Sequence, residues 1–310
     1  MNAMKKGDGA WKPQRILVTT DFSENARAAF PYAKAFAKMY DADVDLLSIV
    51  YSYEMAVGPM VPLSAAPDYL DGLRDDVLKS LKELAGKESA DGKGMRPFVT
   101  ISSTPVEGIL DFANEHDVDL IVMGTRGHGV WRQFLFGSVA RSVTQHAKCP
   151  VLCVKPGEEG LLDEEGNVSV RRLVVPMDLS KYSETLLRMA DELARPHVSK
   201  VAALHVVDTL IPPMYQLVGI ESLFDLDRDM RKRLEVRVDK LLRECVRSEI
   251  ETEHHVLEGN ASREIARFAD EFKADLVIMG RRGVGDTPHL IGGVTERMMH
   301  DTHHPILVLP

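Results

Sequence analysis

The sequence predicts an α/β protein of two tandem open sandwiches, each a parallel five-stranded sheet with helices on both faces. Three observations predict it. Short apolar runs rich in β-branched residues alternate with helical patterns along the chain. Those runs are apolar throughout, as strands covered on both faces must be. The whole pattern also occurs twice: "RILVTTDFSENA" from Arg15 and "RLVVPMDLSKYS" from Arg172 share an apolar run, then Asp, an apolar residue and Ser. Asp21 and Asp178 stand 157 residues apart, Gly124 and Gly280 156, and Pro150 and Pro305 155. One near-constant, domain-sized offset means a tandem duplication with small gaps. The two domains are expected over residues 14–155 and 171–310. The join "KPGEEGLLDEEGNVSV", 155–170, is acidic with Gly and Pro, a linker composition.

The elements follow in order. The first strand is Ile16 to Thr19, matched by Leu173 to Val175. A helix follows, with Ser23 and Ser180 as N-caps ahead of acidic first-turn residues. The second strand is "VDLLSIV" (44–50) or "VAALHVV" (201–207). A loop and a helix lead to a third strand near "FVTI" (98–101) or "HHVLE" (254–258). Another helix runs from Pro105 to Glu115, or from Ser262 to Phe272. "DLIVMG" and "DLVIMG" are the fourth strands, and one more helix precedes the last, "PVLCVK" or "PILVLP". Open sheets of this kind bind ligands at the carboxyl ends of the strands, where strand order reverses.

Bulk properties exclude several classes. The chain has 310 residues, 45% hydrophobic, with a formal net charge of −9. That balance argues against a nucleic-acid reader, which carries a basic face, and leaves room for one bound nucleotide. The lysines near the N-terminus precede no apolar core, so no signal peptide is expected. No apolar run approaches a membrane span. Cys149, Cys153 and Cys245 suit a reduced compartment, and the chain reads as cytoplasmic, with no membrane partner.

Residues 119–143, "DLIVMGTRGHGVWRQFLFGSVARSV", carry the functional signal. Gly124 ends a strand. Gly127 and Gly129 allow positive φ and close approach of backbone to a ligand. Gly137-Ser138 opens a helix whose first N–H groups lack internal partners and carry partial positive charge. A phosphate fits there, held by main-chain N–H groups and the Ser138 hydroxyl; Arg126, His128 and Arg132 add charge. The bland alternative is a tight strand-to-helix connection. A Walker A loop is absent, and the stretch ends the fourth strand rather than the first, unlike the usual dinucleotide fingerprint.

Gly124-x2-Gly127-x9-Gly137-Ser138 resembles the universal stress protein motif of the ATP-binding branch. The resemblance spans both halves, with the first-strand Asp, the "MG" that ends strand four, the "GSV" helix opening and the "CPV" before the last strand. It implies a tandem member of that family, with Rossmann-like α/β domains, acting in the stress response. It further implies ATP or another adenine nucleotide as ligand, with Mg²⁺. Asp21, after Thr20, would sit beside the adenosine, and the backbone near Ile49 or Val50 would touch adenine. Met123 and Gly124, with Arg126, Gly127, His128 and Gly129, would line ribose and phosphates. Gly137, Ser138 and Val139 would hold phosphate. The last strands of the halves would pair as an intrachain pseudo-dimer, with a homodimer of whole chains as a further assembly. Asp21 also reads as a carboxylate that stabilises a helix start.

The second copy departs from the pattern. Asp178, Gly280, Gly283 and Gly285 are in place, but nine residues after Gly283 comes Gly293-Val294, without Ser or Thr. Aligned back from Pro305, Gly292-Gly293-Val294 matches Gly137-Ser138-Val139 with a loop one residue shorter. Either way one hydroxyl contact is missing, worth about 0.5–1.5 kcal/mol. Arg281 and Arg282 could compensate; Asp286 and Pro288 disfavour phosphate. The histidines of "HDTHHP" suggest a metal only weakly, since neighbours on a strand point to opposite faces. The apolar loops 55–67 and 210–220 read as lids or packing segments. No catalytic constellation stands out. A slow ATPase or phosphoryl-transfer enzyme, and an interaction module whose glycines only make turns, remain open beside the nucleotide-binding sensor.

Overall fold

A computed structural model describes residues 11–51, 67–88, 94–125, 137–157, 160–197, 199–208, 222–283 and 291–310. The first half runs β1 (Arg15–Thr19), α1 (Glu24–Arg27), α2 (Phe30–Tyr40), β2 (Asp43–Tyr51), α3 (Pro67–Glu88) and β3 (Arg96–Ser102). It continues with α4 (Pro105–Glu115), β4 (Leu120–Gly124), α5 (Ser138–His146) and β5 (Val151–Val154). The second half runs β6 (Arg172–Pro176), α6 (Tyr182–Ala194), β7 (Lys200–Val207), α7 (Leu223–Leu226) and α8 (Met230–Cys245). It ends with β8 (Glu251–Glu258), α9 (Ala261–Phe272), β9 (Leu276–Gly280), α10 (Gly293–Asp301) and β10 (Ile306–Leu309).

The strands form one sheet in the order β3-β2-β1-β4-β5-β10-β9-β6-β7-β8. Each half is parallel, as the uniformly apolar runs require. Successive side chains alternate between the two faces. Ile16, Val18, Leu46 and Val122 pack with α2, α3, α6 and α8 in one core. Leu17, Leu47, Ile121 and Met123 pack with α4, α5, α9 and α10 in the other. Chain direction across the sheet reverses between β1 and β4, and again between β6 and β9, which opens a crevice at the carboxyl ends of each pair.

The halves join through β5 and β10, which pair antiparallel with Leu152 opposite Leu307, flanked by Cys153–Ile306 and Val151–Val308. The repeat offset relates Leu152 to Leu307, so this pair lies on the pseudo-two-fold axis. Two cations cross the seam to cap helix ends. Arg281 Nη1 donates to the carbonyls of Gln145 and Ala147 at 2.9 and 3.0 Å, at the carboxyl end of α5. Lys155 donates to the carbonyls of His300, at 3.0 Å, and Thr302, at the end of α10. Orphan carbonyls and the negative helix end both favour cations there. Arg141 of α5 also pairs with Glu296 of α10 at 2.8 Å.

The join between the repeats is more than a tether. Leu161, Val168 and Val170 are buried in the first core. Leu162 and Val168 form an antiparallel bridge, and Lys38 of α2 donates to Asn167 at 2.5 Å. Glu164 and Glu165 are exposed while three scattered apolar residues dock the segment. Ser180 also differs from expectation. Ser23 caps α1, its hydroxyl accepting from Ala26 N–H, but α6 begins at Tyr182 with Lys181 already helical. The Ser180 hydroxyl accepts from Tyr182 N–H instead.

Candidate functional site

The first crevice is built from the ends of β1, β2 and β4 and the start of α5. β1 ends in a tight turn. Thr20 is buried; its N–H donates to the Leu47 carbonyl at 2.9 Å, and its hydroxyl accepts from Phe22 N–H at 2.9 Å. Phe22 is left-handed, φ 64°, and Leu179 repeats this at φ 59° in the second half. A bulky residue there is strained. The turn exposes Asp21, whose Oδ1 accepts from Ser23 N–H at 3.0 Å and from the Ser23 hydroxyl at 2.5 Å. The helix-start role of this carboxylate is therefore present in the structure. In the second half Asp178 accepts from Ser180 N–H at 2.9 Å and from the Ser183 hydroxyl at 3.4 Å.

β2 outruns β1. Thr19 pairs with Leu47 and β1 stops, while β2 continues to Tyr51 beside β3. Main-chain groups of a strand alternate sides. Leu47 turns its carbonyl toward β1, so Ile49 turns its own to that side, past the end of β1 and over the crevice. Val50 is buried and faces β3. The Ile49 side chain packs toward α4, where it sits against Gly108.

Met123 is buried at the end of β4, and Gly124 closes the strand. Thr125 N–H donates to the Val154 carbonyl at 2.9 Å, and Gly137 N–H to the Thr125 carbonyl at 2.6 Å. That second bond pins the start of α5 to the end of β4. Gly137 is the N-cap of α5 with no side-chain cap. Ser138 is exposed and Val139 half-buried. On the same face of the sheet α4 and α9 are capped by Thr104 and Asn260. Among the described residues the first N–H groups of α5 have no such cap, and they stand at the crevice. Arg126, Gly127, His128 and Gly129, with Arg132, lie outside the described residues.

The second crevice repeats the plan with changes. Gly292 N–H donates to the Arg281 carbonyl at 2.8 Å, as Gly137 does to Thr125. This bond sets the register between the halves: Gly292 matches Gly137, Gly293 matches Ser138 and Val294 matches Val139. The connection is one residue shorter, and exposed Gly293 replaces the serine. α10 also lacks a side-chain cap. Gly283 is exposed; Gly285, Asp286 and Pro288 lie outside the described residues.

Arg281 does not serve this second site as the sequence suggested. Its guanidinium crosses the seam to α5, and burial, with Arg282 beside it, lowers its pKa. Two residues escaped the sequence reading. Tyr182 packs on Gly280, where an added Cβ would stand 3.0 Å from its ring, and its hydroxyl donates to the Pro310 carbonyl at 2.6 Å. Burial raises its pKa to about 12. His205 Nδ1 lies 2.9 Å from the Met177 carbonyl at the end of β6. Superimposing the repeats sets Tyr182 against Asn25 and His205 against Ser48, the signal that could have found both. Among the described residues no group of three His, Cys, Asp or Glu converges as a metal set; His304 pairs with Asp270 and His300 with Asp301. No helix among them is long and apolar enough to cross a membrane.

A model of the universal stress protein family matches residues 12–155 and again 169–310. A universal stress protein of Methanocaldococcus jannaschii is 32% identical over 156 residues, covering 49% of this chain and 86% of that protein. One of Mycobacterium tuberculosis is 24% identical over 309 residues, covering 96% of this chain and 97% of its own. A solved universal stress protein from Archaeoglobus fulgidus shares the fold with a TM-score of 0.65, at 23% identity and 95% coverage of both chains.

Proposed function

The chain belongs to the universal stress protein family as a tandem member, and from that premise we propose that its first half binds ATP or a related adenine nucleotide, as a cytoplasmic sensor or regulator in the stress response. The observation that carries this reading is the start of α5. Its N–H groups, uncapped among the described residues, are pinned by Gly137 to the end of β4, at the crevice where strand order reverses. Helix N-termini so placed hold phosphate.

Each part of the crevice then has a task. The Ile49 main chain meets adenine at the end of β2. Asp21 lies beside the adenosine, and Gly124 lets the turn after β1 close on β4. Ser138 and Val139 N–H groups take phosphate, with the Ser138 hydroxyl adding one bond. Gly127 and Gly129 are the motif residues assigned to ribose and phosphates. Mg²⁺ travels with the phosphates, Asp21 being the carboxylate the chain offers at that edge. The second half, with Gly293 for Ser138 and a shorter connection, binds more weakly. Units of residues 14–155 and 171–310 are the domains of this reading.

Titration calorimetry with Mg-ATP tests it. One equivalent per chain is expected at the first site, and Ser138→Ala should weaken it roughly 2- to 12-fold, the equivalent of one hydrogen bond. Absence of binding heat, together with no thermal shift at saturating Mg-ATP, would leave the glycines as turn residues and favour an interaction module. A ligand that binds only the folded state at a hundredfold excess over Kd must add about 2.7 kcal/mol.

A further inference from the structure

We propose that the seam between the halves holds a second small-molecule site, built for an organic acid with an apolar body. A cavity of about 430 Å³ lies there, within the size range of ligand pockets. It sits on the β10 side of β9, whereas the second crevice lies between β6 and β9. Pro150, Met189 and Leu309 give it apolar walls, Arg281 and Lys148 give it cations, and His146 adds an imidazole. No Asp or Glu lines it among the described residues. Three basic groups around one apolar hollow stand out in a chain of net charge −9.

Arg281 is the anchor. Its Nη1 is taken by two neutral carbonyls of α5, while its Nε is buried without a hydrogen-bond partner among the described residues. The guanidinium is half-buried at the cavity wall with no carboxylate beside it among the described residues, and a carboxylate or sulfonate in the cavity supplies the counter-charge. Lys148 is exposed and draws the anion in, with the exposed His146 ring beside it. The apolar walls select a hydrocarbon body over inorganic phosphate. An aliphatic chain and an aromatic ring both satisfy these walls.

The test uses the full chain and two probes, octanoate and 2-naphthoate, titrated with and without saturating Mg-ATP. At least one should bind saturably at one equivalent per chain, unaffected by Mg-ATP; the tighter probe tells chain from ring. Arg281 is a poor test position because it also caps α5. Lys148→Glu reverses an exposed charge, and Thr185→Trp fills the cavity from α6. Each should weaken the probe at least tenfold with thermal unfolding kept within a few degrees. Three results would overturn the proposal: no saturable binding of either probe, affinity unchanged in both variants, or displacement of the probe by Mg-ATP.

Discussion

Gly124 has no room for a side chain. A Cβ there would collide with the Asn25 carbonyl oxygen and come within 3.0 Å of its carbon and 3.1 Å of Ala26 Cα. These are main-chain atoms of α1, which cannot step aside without moving the turn that carries Asp21. Its partner Gly280 faces the Tyr182 ring at 3.0 Å and the Arg282 carbonyl at 3.2 Å. A ring edge can tilt. Gly124→Ala is therefore expected to destabilise the fold by about 1–3 kcal/mol, the range for overpacking, and Gly280→Ala by less. Urea unfolding of both variants checks this; equal losses would mean that the two glycines meet the same constraint. Gly124 was legible as a motif residue, but its reason was not. The sequence offers a ligand as the reason for the glycine, whereas the structure adds a helix packed against it.

At the scale of elements, α5 is governed from both ends. Its amino end faces the crevice, and its carboxyl end is held by Arg281 from the other repeat. α10 is held likewise by Lys155. Arg281→Gln is expected to raise amide hydrogen exchange in α5 and leave α10 nearly unchanged, and Lys155→Met the reverse. Each loses about 1–3 kcal/mol with its charged hydrogen bonds. Uniform protection loss across both helices would mean that the seam opens as one unit and the caps act globally. Such crossings are invisible in the sequence, since they need the β5–β10 register. What was legible were elements with local signals. Thr104 and Pro105 start α4 where the pattern placed it. Ser180 failed because Lys181 already takes helical angles and Tyr182 opens the helix. The join failed because Leu161, Val168 and Val170 have no period to read, yet all three are buried. The motif's own loop lies outside the described residues, so its part of the site rests on the sequence.

Over the whole molecule, several weakly acidic groups are kept neutral, two of them where the halves meet. Tyr40 of α2 is pushed above its ordinary value, chiefly by burial and then by the Glu192 carboxylate of the second half. Tyr182 rises from 10.0 to about 12 by burial. Cys149, just before β5, rises from 9.0 to about 12, chiefly by burial, with Asp119 adding. The sign follows directly. Below about pH 8 these groups are protonated whether the chain is folded or not, and their contribution is intact. Above that the unfolded chain loses protons that the folded chain keeps, so stability falls as pH rises from about 8 toward 12. Each such group costs up to about 1.4 kcal/mol per pH unit in that window. Unfolding free energy should therefore be level from neutral pH to about 8 with respect to these groups, then drop steeply, with the Tyr40 part of the tyrosinate absorbance appearing together with unfolding. Tyr40→Phe removes one of these ionisations and should shift the alkaline midpoint upward. A Tyr40 tyrosinate signal, present in the parent chain and missing in Tyr40→Phe, appearing well below the unfolding transition would show instead that the seam admits water while the two cores stay folded. That outcome would make the junction, and not either sandwich, the weakest part of the ten-stranded sheet.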